Sequence, residues 1–107
     1  MNMTEVTMVR IYLSEKNGHL NNLVKRLHDW EKVRGVTVFR GISGFGESGD
    51  VHTAALAALS LDLPIVVEFF DEPAKVEQIL EHLNNEIKPR HMVKWSAWVN
   101  EVGADRR

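Results

Sequence analysis

Hydrophobic and polar residues alternate from Met8 to Leu13, with Val9, Ile11 and Leu13 on one face and Met8, Arg10 and Tyr12 on the other. That is the period of a half-buried strand. Ser14 to Gly18 reads as a turn, with Asn17 placed to cap the next element. From His19 the period lengthens to that of a helix. Leu20, Leu23, Val24, Leu27 and Trp30 form its apolar stripe, while Lys25, Arg26, Asp29 and Lys32 face water. Gly35 is suited to end this helix. Alternation returns at Val36 in a strand expected to run to about Ile42, and Pro64 starts another, apolar strand through Phe70, proline being tolerated at a strand's first residue. Pro73 sits just inside a second helix with the stripe Val76, Ile79, Leu80, Leu83 and Ile87, stopped by Pro89. Met92 to Val102 alternates once more, with Val93, Trp95, Ala97 and Val99 on one face.

The order is strand, helix, strand, then strand, helix, strand. This predicts an α+β chain of ferredoxin-like βαββαβ type, a four-stranded antiparallel sheet with two helices on one face. Residues 1–107 are expected to form a single domain. With Val9, Ile11, Leu13, Val93 and Trp95 under the helices, the open face would collect Met8, Tyr12, Phe39, Val66, Phe70 and Trp98. Arg10, Glu68 and Lys94 would lie among them and pair across the sheet. So much large apolar surface is poorly suited to a small monomer. Burial between subunits explains it better than a covering loop or C-terminal segment.

Between the two halves, residues 42–63 form a long glycine-rich loop, with a short helix expected in the alanine-rich Thr53 to Leu61. A loop of this length inside a small domain points to function. Gly44 to Gly49 matches G-x-G-x-x-G, yet Gly41 breaks the strand before the motif and the chain is too short for a doubly wound sheet. The remaining expectation is an anion-binding nest of glycine amides around Gly41, Gly44 and Gly46, against the alternative of a loop chosen for conformational freedom.

Composition narrows the chemistry. Apolar residues make up 44% of the 107, charged residues 26%, and the formal net charge is −2. No basic footprint for nucleic acid or anionic membrane is present. The absence of cysteine excludes disulfides, thiolate catalysis and sulfur-ligated metals. Met1 to Leu13 is too polar for a signal peptide and no window approaches a membrane span, so a cytoplasmic protein without membrane insertion is expected. Asp50 and His52 are the seeds of a metal site, but no three ligands stand at a recognisable spacing. His52 either meets a ligand or pins the loop; His28 and His82 read as solvated. Ser43, Ser48 and Ser60 lack a nucleophile elbow, so no catalysis is expected. Lys88, Arg90 and His91 form a small basic cluster after the second helix, either a solvated turn beside a helix C-terminus or a phosphate contact.

Several stretches carry a family resemblance: Arg10 to Glu15 (RIYLSE), Gly35 to Gly46 (GVTVFRGISGFG), His52-Thr53-Ala54, Ser60 to Asp71 (SLDLPIVVEFFD) and Lys75-Val76-Glu77. Together they make the chain similar, over nearly its whole length, to the PII-like family filed as domain of unknown function number 190. The lead-in to the first helix, Asn17-Gly18-His19-Leu20, departs from that pattern. The resemblance implies a homotrimer whose sheets pack inward, and a signalling loop after strand two. It implies an adenine nucleotide in the cleft between subunits, touching Gly41, Gly44 and Gly46 at the loop base and Lys88 and Arg90 in the turn. A protein partner would meet the loop around Gly44 to Asp50. The trimeric divalent-ion tolerance proteins share this architecture, so a metal-linked stress protein stands as the alternative.

Overall fold

The alternating stretches become strands of one sheet in the computed structural model, which describes residues 2–14, 19–45, 51–53 and 63–101. The elements are β1 (Asn2–Ser14), α1 (His19–Asp29), β2 (Val36–Arg40), β3 (Ser43–Phe45), β4 (Val51–Thr53), β5 (Pro64–Asp71), α2 (Pro73–Leu83) and β6 (Met92–Glu101). Strands β2, β5, β1 and β6 lie side by side in that order, every pairing antiparallel. Two central strands joined through helices to the two edges are the ferredoxin-like arrangement the sequence predicts.

The core lies between the sheet and the helices. Val9 and Ile11 of β1 and Ile65, Val67 and Phe69 of β5 meet Leu23 and Leu27 of α1 and Val76, Ile79 and Leu83 of α2. Complete burial of one such side chain is worth about 1.5–3 kcal/mol, so this cluster is what holds the helices on the sheet. β5 alternates without interruption between half-buried and buried residues, as a strand between two neighbours should.

Both helices are shorter than their stripes suggest. α1 ends at Asp29, and Trp30 lies beyond it, 80% exposed instead of continuing the apolar stripe. The chain turns there because Lys32 takes a left-handed conformation with φ 54°, ahead of Gly35 and of the next strand. Lys75 stabilises that turn by donating from Nζ to the Lys32 carbonyl at 2.6 Å, while lying 3.1 Å from Asp71 Oδ2. Asp71 is buried; its Oδ1 accepts the Glu72 N–H at 2.8 Å, whereas Oδ2 has the Lys75 ammonium nearby without an aligned hydrogen bond. α2 thus starts from Glu72 with no side-chain cap of its own, Pro73 occupying its first turn.

The phase of β6 differs from expectation. Val93 pairs with Arg10 and Trp95 with Met8, so both stand on the open face, while Lys94 pairs with Val9 on the helix side and reaches Glu77 of α2 at 2.5 Å. Trp98 pairs with Glu5 and shares the helix-side parity. Trp95 and Val93 therefore do not lie under the helices, and Trp98 and Lys94 do not belong to the open face. The cause is the antiparallel register. Each β6 residue shares the face of its β1 partner, and Val9 and Ile11 already commit β1 to the core.

β1 is also longer than its alternating run: β5 pairs only with Thr7 to Ser14, leaving Asn2 to Val6 on β6 alone as a two-stranded ribbon. Arg34 Nη1 comes within 3.9 Å of Glu101 Oε1, which brings the end of that ribbon back toward the start of β2. No helix among the described residues is long and apolar enough to cross a membrane.

Candidate functional site

The strand expected to reach Ile42 stops at Arg40, and the start of the glycine-rich segment folds as a second, two-stranded sheet. Ser43 pairs with Thr53, Gly44 with His52 and Phe45 with Val51. Gly44 and His52, two of the expected site residues, are therefore directly opposite on this small hairpin. Thr53 belongs to β4 and not to a helix; Gly46, Asp50 and the rest of the expected helix lie outside the described residues.

Gly41 anchors the hairpin to the sheet. Its N–H donates to the Pro64 carbonyl at 2.7 Å, and a Cβ at this position would stand 2.7 Å from Pro64 Cγ. Only glycine allows that approach, because the proline ring cannot rotate away. A Cβ on Gly44 would meet the same ring at an ordinary 3.5 Å. Gly41 therefore offers close backbone approach more than an unused donor.

The basic turn is held just as definitely. His91 N–H donates to the Lys88 carbonyl at 3.1 Å, His91 Nδ1 lies 3.0 Å from the Pro89 carbonyl, and Tyr12 N–H donates to the His91 carbonyl at 2.8 Å. The second of these contacts requires the proton on Nδ1. These bonds keep Arg90 at φ 69°, an unusual backbone state for a non-glycine residue. Lys88 and Arg90 are exposed, and neither pairs with an acidic side chain among the described residues. His91 stands out in the sequence only as the third member of the basic cluster; its work as the clip of the turn depends on the β1 contact.

Hairpin and turn share one end of the sheet. Gly41 follows the last residue of β2, Pro64 opens β5, Ser14 closes β1, and the turn leads into Met92 of β6. Yet β2 and β6 are the two edges, three strand spacings or about 14 Å apart. A single chain aligns the two halves of the candidate site without joining them.

On the open face, Arg10 Nε donates to Glu68 Oε2 at 2.5 Å, and the guanidinium lies 5.6 Å from the Trp95 ring centre. The hydrogen bond to Glu68 raises the Arg10 pKa, partly opposed by desolvation and aided by the charge of Glu68 and by Tyr12. Around them Tyr12, Phe39, Val93 and Trp95 are each between 41% and 47% exposed, a large apolar area on one face. On the outer face, a 650 Å³ groove is lined by Asn22, Lys25, Arg26, Trp30, Glu31 and His82. There Arg26 bonds Glu86 and the His82 carbonyl, and His82 Nδ1 lies 3.0 Å from Glu31 Oε1. No three His, Asp or Glu side chains converge as metal ligands among the described residues.

Comparison with known proteins agrees with this architecture. The DUF190 family, described as "Uncharacterized ACR", matches residues 6–99. A UPF0166 protein of Aquifex aeolicus (strain VF5) is 35% identical over 95 residues, covering 85% of this chain and 87% of that one. Among solved structures, CPII from Thiomonas intermedia K12 covers 94% of this chain and 100% of its own at a TM-score of 0.67 and 19% identity. That structure is of a nitrogen regulatory PII-like protein bound to ADP, AMP and bicarbonate. CutA1 from Oryza sativa superposes at a TM-score of 0.56 and 10% identity, covering 97% of this chain and 88% of that one. At such identities both likenesses concern the fold. Matched by the family from Val6 to Val99 and folded as PII-like proteins are, the chain belongs to the DUF190 family.

Proposed function

We propose that the protein is a cytoplasmic, non-catalytic, trimeric PII-like regulatory module. It binds a small anionic ligand, an adenine nucleotide, in the cleft between subunits and signals through the glycine-rich segment to a protein partner. One observation carries this reading: the hairpin base and the basic turn occupy the same end of the sheet at opposite edges. Packing of apolar sheet faces between copies would set the β2 edge of one chain beside the β6 edge of the next and close a cleft there. Gly41, Gly44 and Gly46 would allow the backbone to approach the ligand, His52 would meet it from across the hairpin, and Lys88 and Arg90 would meet its phosphates. The adenine nucleotides bound to CPII support this ligand class.

Calorimetric titration with ATP, ADP, AMP and cyclic AMP, with and without magnesium, tests the reading. Micromolar binding of one of them at one site per chain is expected. Lys88→Ala with Arg90→Ala is expected to weaken it about a hundredfold or more, since two charge-assisted hydrogen bonds are worth about 3 kcal/mol or more together. Unchanged affinity would remove both residues from the site. Silence from all four nucleotides, with divalent-cation binding that His52→Ala abolishes, would favour the metal-linked alternative.

A further inference from the structure

We infer that the Arg10–Glu68 pair, backed by Trp95, sets the register in which copies of this chain assemble, and contributes selectivity to self-association more than affinity. The inference rests on the assembly proposed above. Arg10 and Glu68 are directly opposite on the two central strands, bracketed by Met8 opposite Phe70 on one side and Tyr12 opposite Val66 on the other. An apolar face would slide over another apolar face with little preference; a charged pair in its middle removes most of those alignments. The pair carries one cation and one anion side by side, so a second copy presents a partner for each, whereas a purely acidic or purely basic surface would leave one charge uncompensated. The guanidinium has donors beyond the Nε–H that Glu68 accepts, and Trp95 beneath it restricts where they point. Desolvating such a pair offsets most of its attraction, yet a misaligned copy that buries either charge unpaired is strongly disfavoured.

The experiment is native mass spectrometry of the full chain and of the double variant Arg10→Met with Glu68→Met, with circular dichroism to confirm folding. The wild type is expected as one oligomeric species, and the folded double variant as a mixture of at least two. A folded double variant that keeps the single wild-type mass, or that falls wholly to monomer, overturns the inference. Should the methionine pair fail to fold, the exchanged pair Arg10→Glu with Glu68→Arg decides instead: one species of wild-type mass is expected, and a mixture overturns the inference. A wild type that stays monomeric fails differently, because it removes the assembly itself.

Discussion

Gly41 and Gly44 stand three residues apart in the same glycine run, and nothing local distinguishes them. Contact with Pro64 does. Gly41→Ala forces a Cβ to within 2.7 Å of the proline ring and is expected to destabilise the protein by about 1–3 kcal/mol. Gly44→Ala makes an ordinary contact and should stay within roughly 0.5 kcal/mol; equal melting curves for the two variants would refute the distinction. A second prediction concerns titration. The hydrogen bond with His28, at 2.7 Å, holds the Asp29 carboxyl below its ordinary range, with the His28, Lys25 and Lys32 charges assisting against desolvation. Because the folded value is the lower one, the associated stabilisation is complete above the unfolded-state pKa and is lost as pH falls through the folded value. His28→Ala is expected to move the Asp29 midpoint upward in an NMR titration. A stationary midpoint would show that His28 is not the cause.

At the scale of elements, periodicity located strands and helices well but could not say which face of β6 is covered. Met92, Lys94, Ser96 and Trp98 read as the wetter face, and Val93, Trp95, Ala97 and Val99 as the drier one. Pairing with β1 puts the drier set outward, because Val9 must face the helices and Lys94 lies opposite it. The helices themselves obeyed their stripes through Leu27 and Leu83. Leu27 is fully buried beneath α1, and Leu27→Ala is expected to cost between about 2 and 5 kcal/mol in a denaturant titration. A loss below about 1 kcal/mol would mean that α1 is not held by this stripe. Trp30, one position past the end of the helix, would contribute little, since its side chain is 80% exposed.

For the whole molecule, the outward face of β6 adds Val93 and Trp95 to an open sheet surface that already holds Tyr12 and Phe39. Such an area argues for association more strongly than the sequence did. Light scattering is expected to return three times the 12.2 kDa of one chain. Trp95→Lys, which sets a second cation beside Arg10 in that surface, is expected to shift the mass toward a single chain while leaving the circular dichroism spectrum in place. An unchanged mass would place the subunit interface elsewhere.

What the sequence determined by itself is the set of local choices: where alternation of period two gives way to a helical period, where Pro64 and Pro73 open elements, and which residues of β1 and β5 form the core. These depend on neighbours along the chain, and a single strand carries the information for its own two faces. The glycine run and the basic cluster were also legible from composition alone, and the resemblance added the expectation that they meet a ligand. What only the tertiary structure decided involves partners distant in sequence. Val9 and Met8 assign the faces of β6, Pro64 makes Gly41 necessary, and Tyr12 and His91 hold Arg90 in its left-handed state. Each requires a contact across the sheet, and no periodicity records which of two comparably apolar faces a neighbouring strand will turn toward the helices.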